Sequence, residues 1–127
     1  MLTEDNEFNQ MVAVDTLTNY IPGISIDIAN NGKEAVDKVA AGNYDLILMD
    51  IQMPEMDGYT ATQLIRKQLL PPKNEIKIMA MTAGALKSEI QKCYEAGMDD
   101  YISKPFDPHL LIEKMSTLFP DQNENMT

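Results

Sequence analysis

The stretch that most constrains the fold runs from Leu46 to Tyr59 and reads LILMDIQMPEMDGY. Four apolar residues in succession, Leu46, Ile47, Leu48 and Met49, are followed at once by Asp50. A short apolar run bounded by turn signals suits a strand buried on both faces, as in a parallel sheet. Met53-Pro54 and Asp57-Gly58 then supply loop punctuation that leads into a helix. Open α/β sheets bind ligands at the carboxyl ends of their strands. A carboxylate delivered there by an apolar strand is a site candidate rather than a packing residue.

Around this segment the pattern alternates between strand and helix. Asn6 or Asp5 can cap a first helix in which Met11, Val14, Leu17 and Ile21 keep helical spacing, and Pro22-Gly23 ends it. Ile24 to Ile28, ISIDI, alternates apolar with polar as a half-buried edge strand does. Asn31 and Glu34 have the spacing of a capping box for a second helix. Its inner face is Ala35, Val36, Val39 and Ala40, and Gly42 ends it. The third helix presents Ala61, Leu64 and Ile65 before Pro71-Pro72 breaks it. Ile76 to Met81, IKIMAM, is another apolar strand, with Thr82 at its end. Leu86, Ile90, Cys93, Tyr94 and Gly97 fit one face of a fourth helix. Tyr101-Ile102-Ser103 is a short last strand, followed by Lys104-Pro105. Asp107-Pro108 opens a fifth helix whose inner face is Leu111, Ile112, Met115, Leu118 and Phe119. One domain is expected over residues 1–120, with 121–127 as a flexible polar tail.

Such alternation implies a parallel sheet with helices on both faces. A helix precedes ISIDI, so a strand belongs before Asp5, yet only Met1, Leu2 and Thr3 are available for it. At ~3.3 Å per residue that is roughly 10 Å of strand, so the first strand is expected to be truncated.

The net charge of −10 weighs against nucleic acid or an anionic membrane surface as a direct partner, because both are read through basic patches. No apolar run approaches the ~20 residues that span a bilayer. The acidic start MLTEDNEFNQ lacks the basic and apolar regions of a signal peptide. A cytoplasmic location is the resulting expectation, although a domain cut from a membrane protein would read the same way. Cys93 is the single cysteine, with no metal-ligand or redox spacing around it, and reads as a buried helix residue.

If the strands are parallel, their carboxyl ends gather Glu4, Asp5, Asp50, Thr82 and Lys104. Carboxylates ~4 Å apart repel by roughly 4 kcal/mol per pair at an effective dielectric of about 20, so a cation belongs among them. Lys104 is one candidate. A hard divalent ion such as Mg²⁺ is the other, since it takes oxygen ligands and keeps several waters. Spacing by itself equally allows a solvated carboxylate cluster at a loop rim.

These residues resemble the receiver domain of two-component response regulators. The likeness is carried by EDN at Glu4 to Asn6, NGKEA at Asn31 to Ala35 and LMDIQMPEMDGY at Leu48 to Tyr59. It continues in MTAGAL at Met81 to Leu86 and AGMDDYISKPF at Ala96 to Phe106. EDNEFNQ is most similar to receivers attached to hybrid sensor kinases. The resemblance implies a flavodoxin-like three-layer sandwich with a five-stranded parallel sheet of order 2-1-3-4-5 and five helices. It implies that Asp50 is the phosphoacceptor, that Asp5 ligates Mg²⁺, that Glu4 acts nearby through water, and that the Gln52 carbonyl is a further ligand. Lys104 and Thr82 would meet the phosphoryl oxygens, and Lys104-Pro105 would be cis. The expected partner is a histidine kinase or a histidine phosphotransfer domain. Such a domain is no free-standing enzyme and catalyses only its own phosphorylation and dephosphorylation. Its output is a switch in which Thr82 moves towards the phosphate and Tyr101 turns inward, changing the surface of the fourth helix, last strand and fifth helix, where a dimer can form.

Several residues carry blander readings. His109, in the first turn of the fifth helix, has no acid–base partner in view and reads as an exposed structural histidine. Met49, Met53 and Met56 lack a repeating ligand spacing and read as packing. Asp99-Asp100 reads as a turn and helix-end feature. The alternative function class is a receiver-like interaction module that works without phosphorylation. A phosphatase with an Asp nucleophile needs a second acid two residues on, where this chain has Gln52. No GxGxxG or GxxxxGK[ST] motif appears, which disfavours nucleotide binding.

Overall fold

Strand β3 (Leu46–Asp50) is buried along its whole length, and the parity of its residues divides the molecule into layers. Ile47 and Met49 enter one core while Leu46 and Leu48 enter a second on the opposite face. Strand β4 (Lys77–Thr82) repeats the arrangement, sending Ile78 and Ala80 to the first core and Met79 and Met81 to the second. The computed structural model describes residues 1–84, 86–105 and 107–119. The expected tail over 121–127 lies outside them.

The remaining strands are β1 (Leu2–Thr3), β2 (Ile28–Ala29) and β5 (Asp100–Ser103), and all five pair in parallel in the order 2-1-3-4-5. Helices α2 (Gly32–Ala41), α3 (Gly58–Gln68) and α4 (Lys87–Ala96) cover the first core through Ala35, Val39, Ala61, Ile65 and Cys93. Helices α1 (Glu7–Tyr20) and α5 (Pro108–Leu118) cover the second through Ala13, Leu17 and Leu111. This is the flavodoxin-like three-layer sandwich. Four helices start on side-chain caps: Asn6, Asn31, Asp57 and Asp107 accept from the backbone N–H of Asn9, Glu34, Thr60 and His109. No helix among the described residues is long and apolar enough to cross a membrane.

Four expectations need correction. The strand foreseen over Ile24 to Ile28 pairs only from Ile28. Its burial alternates as expected, with Ile24, Ile26 and Ile28 half-buried between exposed Ser25 and Asp27. A ladder needs backbone partners as well as apolar side chains, and β1 offers only Leu2 and Thr3. Met11 is exposed, because the inward stripe of α1 runs through Gln10, Ala13 and Leu17. Leu86 and Tyr94 are also exposed, so α4 buries a narrower face, Cys93 and Ala96, than its apolar residues outline. Cys93 is buried, and burial pushes its thiol pKa up. Met49 is buried, and Met53 and Met56 pack against the same core.

Asp99 and Asp100 are structural acceptors rather than a turn feature. Asp99 bonds the Ile78 N–H at 2.9 Å and pairs with Arg66 at 3.1 Å. Arg66 also reaches the carbonyls of Gly97, Asn74 and Ile76, which ties α3 to both ends of the β4 and β5 entry loops. Gly58 sits directly under the loop that follows β3. A Cβ there would lie 2.4 Å from the Asp50 carbonyl oxygen and 3.0 Å from the Ile51 Cα. Gly58→Ala is expected to lower the unfolding free energy by about 1–3 kcal/mol in a urea melt. Gly84→Ala is the control with little change, because a Cβ at Gly84 meets nothing within 4 Å.

Candidate functional site

The carboxyl ends of the strands converge on one rim. Asp50 ends β3, Thr82 ends β4, Glu4 and Asp5 follow β1, and Lys104 follows β5. Asp50 is 5% exposed and Glu4 2%, whereas Asp5 is exposed. The Lys104 Nζ donates to Glu4 Oε1 at 2.8 Å and to Asp50 Oδ2 at 3.0 Å. Burial pulls the Lys104 pKa down, but the hydrogen bonds and charges of Glu4 and Asp50 outweigh it, leaving the value above the ordinary 10.5.

Backbone contacts hold these side chains in place. Asp50 Oδ1 accepts the Gln52 N–H at 3.1 Å, and the Lys104 N–H bonds the Thr82 carbonyl at 2.7 Å. Gln10, one of the few polar residues facing inward from α1, donates to the Glu4 carbonyl at 2.6 Å and to Asn30 Oδ1 at 2.9 Å. The Thr82 hydroxyl is buried and has no hydrogen-bond partner among the described residues. An unmet buried hydroxyl costs about 1–3 kcal/mol. The Lys104-Pro105 peptide is cis.

Glu4, Asp5 and Asp50 each bring a carboxylate oxygen within 4.8 Å of the others. Three carboxylates against one ammonium leave an excess of negative charge made wholly of hard oxygen donors. That donor set fits Mg²⁺.

The chain matches the response regulator receiver domain over residues 1–116. It belongs to that family. Among curated relatives it is 42% identical over 122 residues to hybrid signal transduction histidine kinase I of Dictyostelium discoideum, covering 92% of this chain and 7% of that protein. It is 38% identical over 129 residues to histidine kinase 5 of Arabidopsis thaliana, covering 83% of this chain and 14% of that one. The chain therefore spans a small part of the curated relatives it matches. A solved receiver domain of a Pseudomonas aeruginosa sensor histidine kinase, with magnesium coordinated in its active-site cleft, superposes with a TM-score of 0.81 at 37% identity. That match covers 91% of this chain and 92% of the other. A Saccharomyces cerevisiae receiver domain, crystallised with its histidine phosphotransfer protein, gives a TM-score of 0.79 at 31% identity over 91% of this chain and 83% of the other.

In this receiver domain Tyr101 lies on β5, half-buried against the first core. The Lys114 ammonium of α5 stands 4.5 Å from the Tyr101 ring centroid and pairs with Asp100 Oδ1 at 3.1 Å. Lys114 and Asp100 carry no local sequence signal for this contact, since they come from separate elements and meet only when α5 packs. His109 is exposed and makes an edge-on contact with Tyr20, with ring centroids 5.6 Å apart. Three apolar residues of α1 face outward. Phe8, Met11 and Val12 sit off the inward stripe of α1 and are 70%, 62% and 45% exposed. Phe8 and Val12 border a hollow of ≈440 Å³ that reaches Glu4, Met81, Lys104 and Pro105.

Replacing Lys104 leaves two buried carboxylates facing each other. Lys104→Met is expected to cost about 2 kcal/mol, the low end for a broken buried pair because the lysine is partly exposed. Millimolar Mg²⁺ is expected to recover part of that loss in thermal melts. The ion pair contributes fully below pH 10.5 and is lost as pH rises through the raised folded-state value. A difference between the two proteins that stays constant through that range would remove Lys104 from this account.

Proposed function

We propose that this receiver accepts a phosphoryl group from a phosphohistidine onto Asp50, with Mg²⁺ bound, and relays the change through Thr82 and Tyr101. The observation that carries the reading is a lysine ammonium bonded to a buried Asp50 beside two further carboxylates. An Asp50 carboxylate oxygen attacks phosphorus in line while the bond from phosphorus to the imidazole nitrogen breaks. The bonding pair returns to that nitrogen, and an acyl phosphate forms on Asp50. Lys104 is placed to stay with the phosphoryl charge, and the unpaired Thr82 hydroxyl to donate to a phosphoryl oxygen. Asp5, Asp50, the Gln52 carbonyl and Glu4, the last through water, would hold Mg²⁺. When bound, the ion supplies neutralisation of the phosphoryl oxygens.

Movement of Thr82 towards the phosphate would draw the Tyr101 ring inward. That turn gives up the Lys114 contact, worth about 0.5–1 kcal/mol at a partly exposed position, so the resting state is held by a small and reversible restraint. Exposed Leu86, Tyr94 and Leu110 on α4 and α5 support a dimer surface over α4, β5 and α5. The phosphodonor is a histidine phosphotransfer domain or a histidine kinase. The apolar Phe8, Met11 and Val12 face beside the rim supports docking of such a partner with its histidine over Asp50. The net charge of −10 weighs against direct nucleic-acid or anionic membrane contact.

Incubation with a small acyl-phosphate donor and Mg²⁺ is expected to add one phosphoryl group, read by intact mass. Asp50→Asn should abolish the adduct, and labelling that persists unchanged would overturn the assignment. Phe8→Asp is expected to slow transfer from a phosphohistidine protein about tenfold, a loss of about 1.4 kcal/mol in docking. The same variant should be labelled by the small donor at the normal rate. Equal losses with both donors would place the effect in the site and not in docking.

A further inference from the structure

The segment that carries Glu4 and Asp5 has little regular structure to hold it. Strand β1 ends at Thr3, the Glu4 N–H bonds the Ala29 carbonyl at 3.0 Å, and α1 begins only at Glu7. Between strand and helix lies the Glu4–Asp5 peptide. A peptide unit is planar, so the direction of the Glu4 carbonyl also sets where the Asp5 backbone starts. That carbonyl is held from inside the molecule by Gln10, whose Nε2 donates to it at 2.6 Å.

For packing alone an apolar residue would serve at position 10. Of the three buried residues of α1, Gln10, Ala13 and Leu17, only Gln10 is polar. Burying an amide costs free energy unless its hydrogen bonds are met, so its partners explain its presence. They also fix which way round the amide sits. The Glu4 carbonyl can only accept, so the Gln10 nitrogen has to face it. The same nitrogen donates to Asn30 Oδ1 at 2.9 Å, and Asn30 Nδ2 donates in turn to Glu34 Oε1 at 3.2 Å. As a carboxylate Glu34 only accepts, which orients Asn30 as well. The chain from Glu4 through Gln10 and Asn30 to Glu34 therefore runs in one direction and is anchored on the first turn of α2.

On the reading that the rim holds Mg²⁺, we infer that Gln10 is a positioning residue for that ion. It fixes the Glu4–Asp5 peptide so that the carboxylates on either side of it stay close to Asp50. Oxygens of Glu4, Asp5 and Asp50 lie within 4.8 Å of one another, and their repulsion favours an outward swing of the exposed Asp5. With the peptide held beforehand, an arriving cation does not have to gather its ligands. Asn30 acts through Gln10, as the outer anchor of its amide.

Mg²⁺ titrated into the whole chain and followed by backbone amide NMR tests this. Gln10→Met, which keeps the length of the side chain and removes the donor, is expected to weaken Mg²⁺ binding about tenfold. Asn30→Ala, at an exposed loop position, is expected to weaken it about threefold, and the double variant no further than Gln10→Met alone. Leu17→Val, a loss of packing on the same stripe of α1, should lower Tm and leave Mg²⁺ affinity as it is. A Gln10→Met protein that loses Tm yet binds Mg²⁺ like the parent overturns the inference, and so do additive losses in the double variant. If Gln10→Met does not fold, an Asn30→Ala protein that binds as the parent does overturns it equally. A parent chain that takes up no Mg²⁺ overturns the metal reading of the rim together with this inference, whatever the variants do.

Discussion

A lysine ammonium shared by two buried carboxylates is the contact on which the rest of this molecule depends. Glu4 and Asp50 are nearly excluded from water, and Asp5 lies within 4.8 Å of both. Repulsion among such groups amounts to roughly 4 kcal/mol per close pair at an effective dielectric of about 20, a large fraction of the net stability of a domain this size. Lys104 offsets part of it and leaves part standing. The residual negative charge on hard oxygen donors is a set that could hold a hard cation.

The contact works because the backbone around it is tied down. Gln10 holds the Glu4 backbone and the Gln52 N–H holds the Asp50 carboxylate, each from close by in the chain, while the Lys104 N–H bonds the Thr82 carbonyl and so joins the ends of β5 and β4. Beneath them, alternate residues of β3 and β4 fill two cores, and Gly58 lets the third helix start against the Asp50 carbonyl. The rigid floor contrasts with what lies at its margins. Tyr101 lies on the edge strand, packed against the first core with the Lys114 ammonium over its ring, and Phe8, Met11 and Val12 of α1 are exposed.

Much of this was readable in the chain because the signals are local. The apolar run ending in Asp50, the caps at Asn6, Asn31 and Asp107, and the strand ending in Thr82 depend only on near neighbours. Misreadings came where a residue's role depends on a distant partner. ISIDI has the side-chain pattern of a strand, yet most of it is unpaired because β1 is short. Met11 and Tyr94 have helical spacing but face solvent, since α1 and α4 each meet the sheet along a narrow stripe. Asp99 and Asp100 looked like turn residues until Arg66 and Lys114 arrived from other elements.

The order of apolar runs, caps and breakers determined by itself that strands and helices alternate, and hence that the chemistry-bearing residues fall at one end of a parallel sheet. Local patterning suffices for that, because periodicity and capping act within a few residues. Only the tertiary structure decided that Lys104 bridges Glu4 and Asp50 and that Lys114 covers Tyr101. Those are distances between groups far apart along the chain, and nothing short of the packed sheet fixes them.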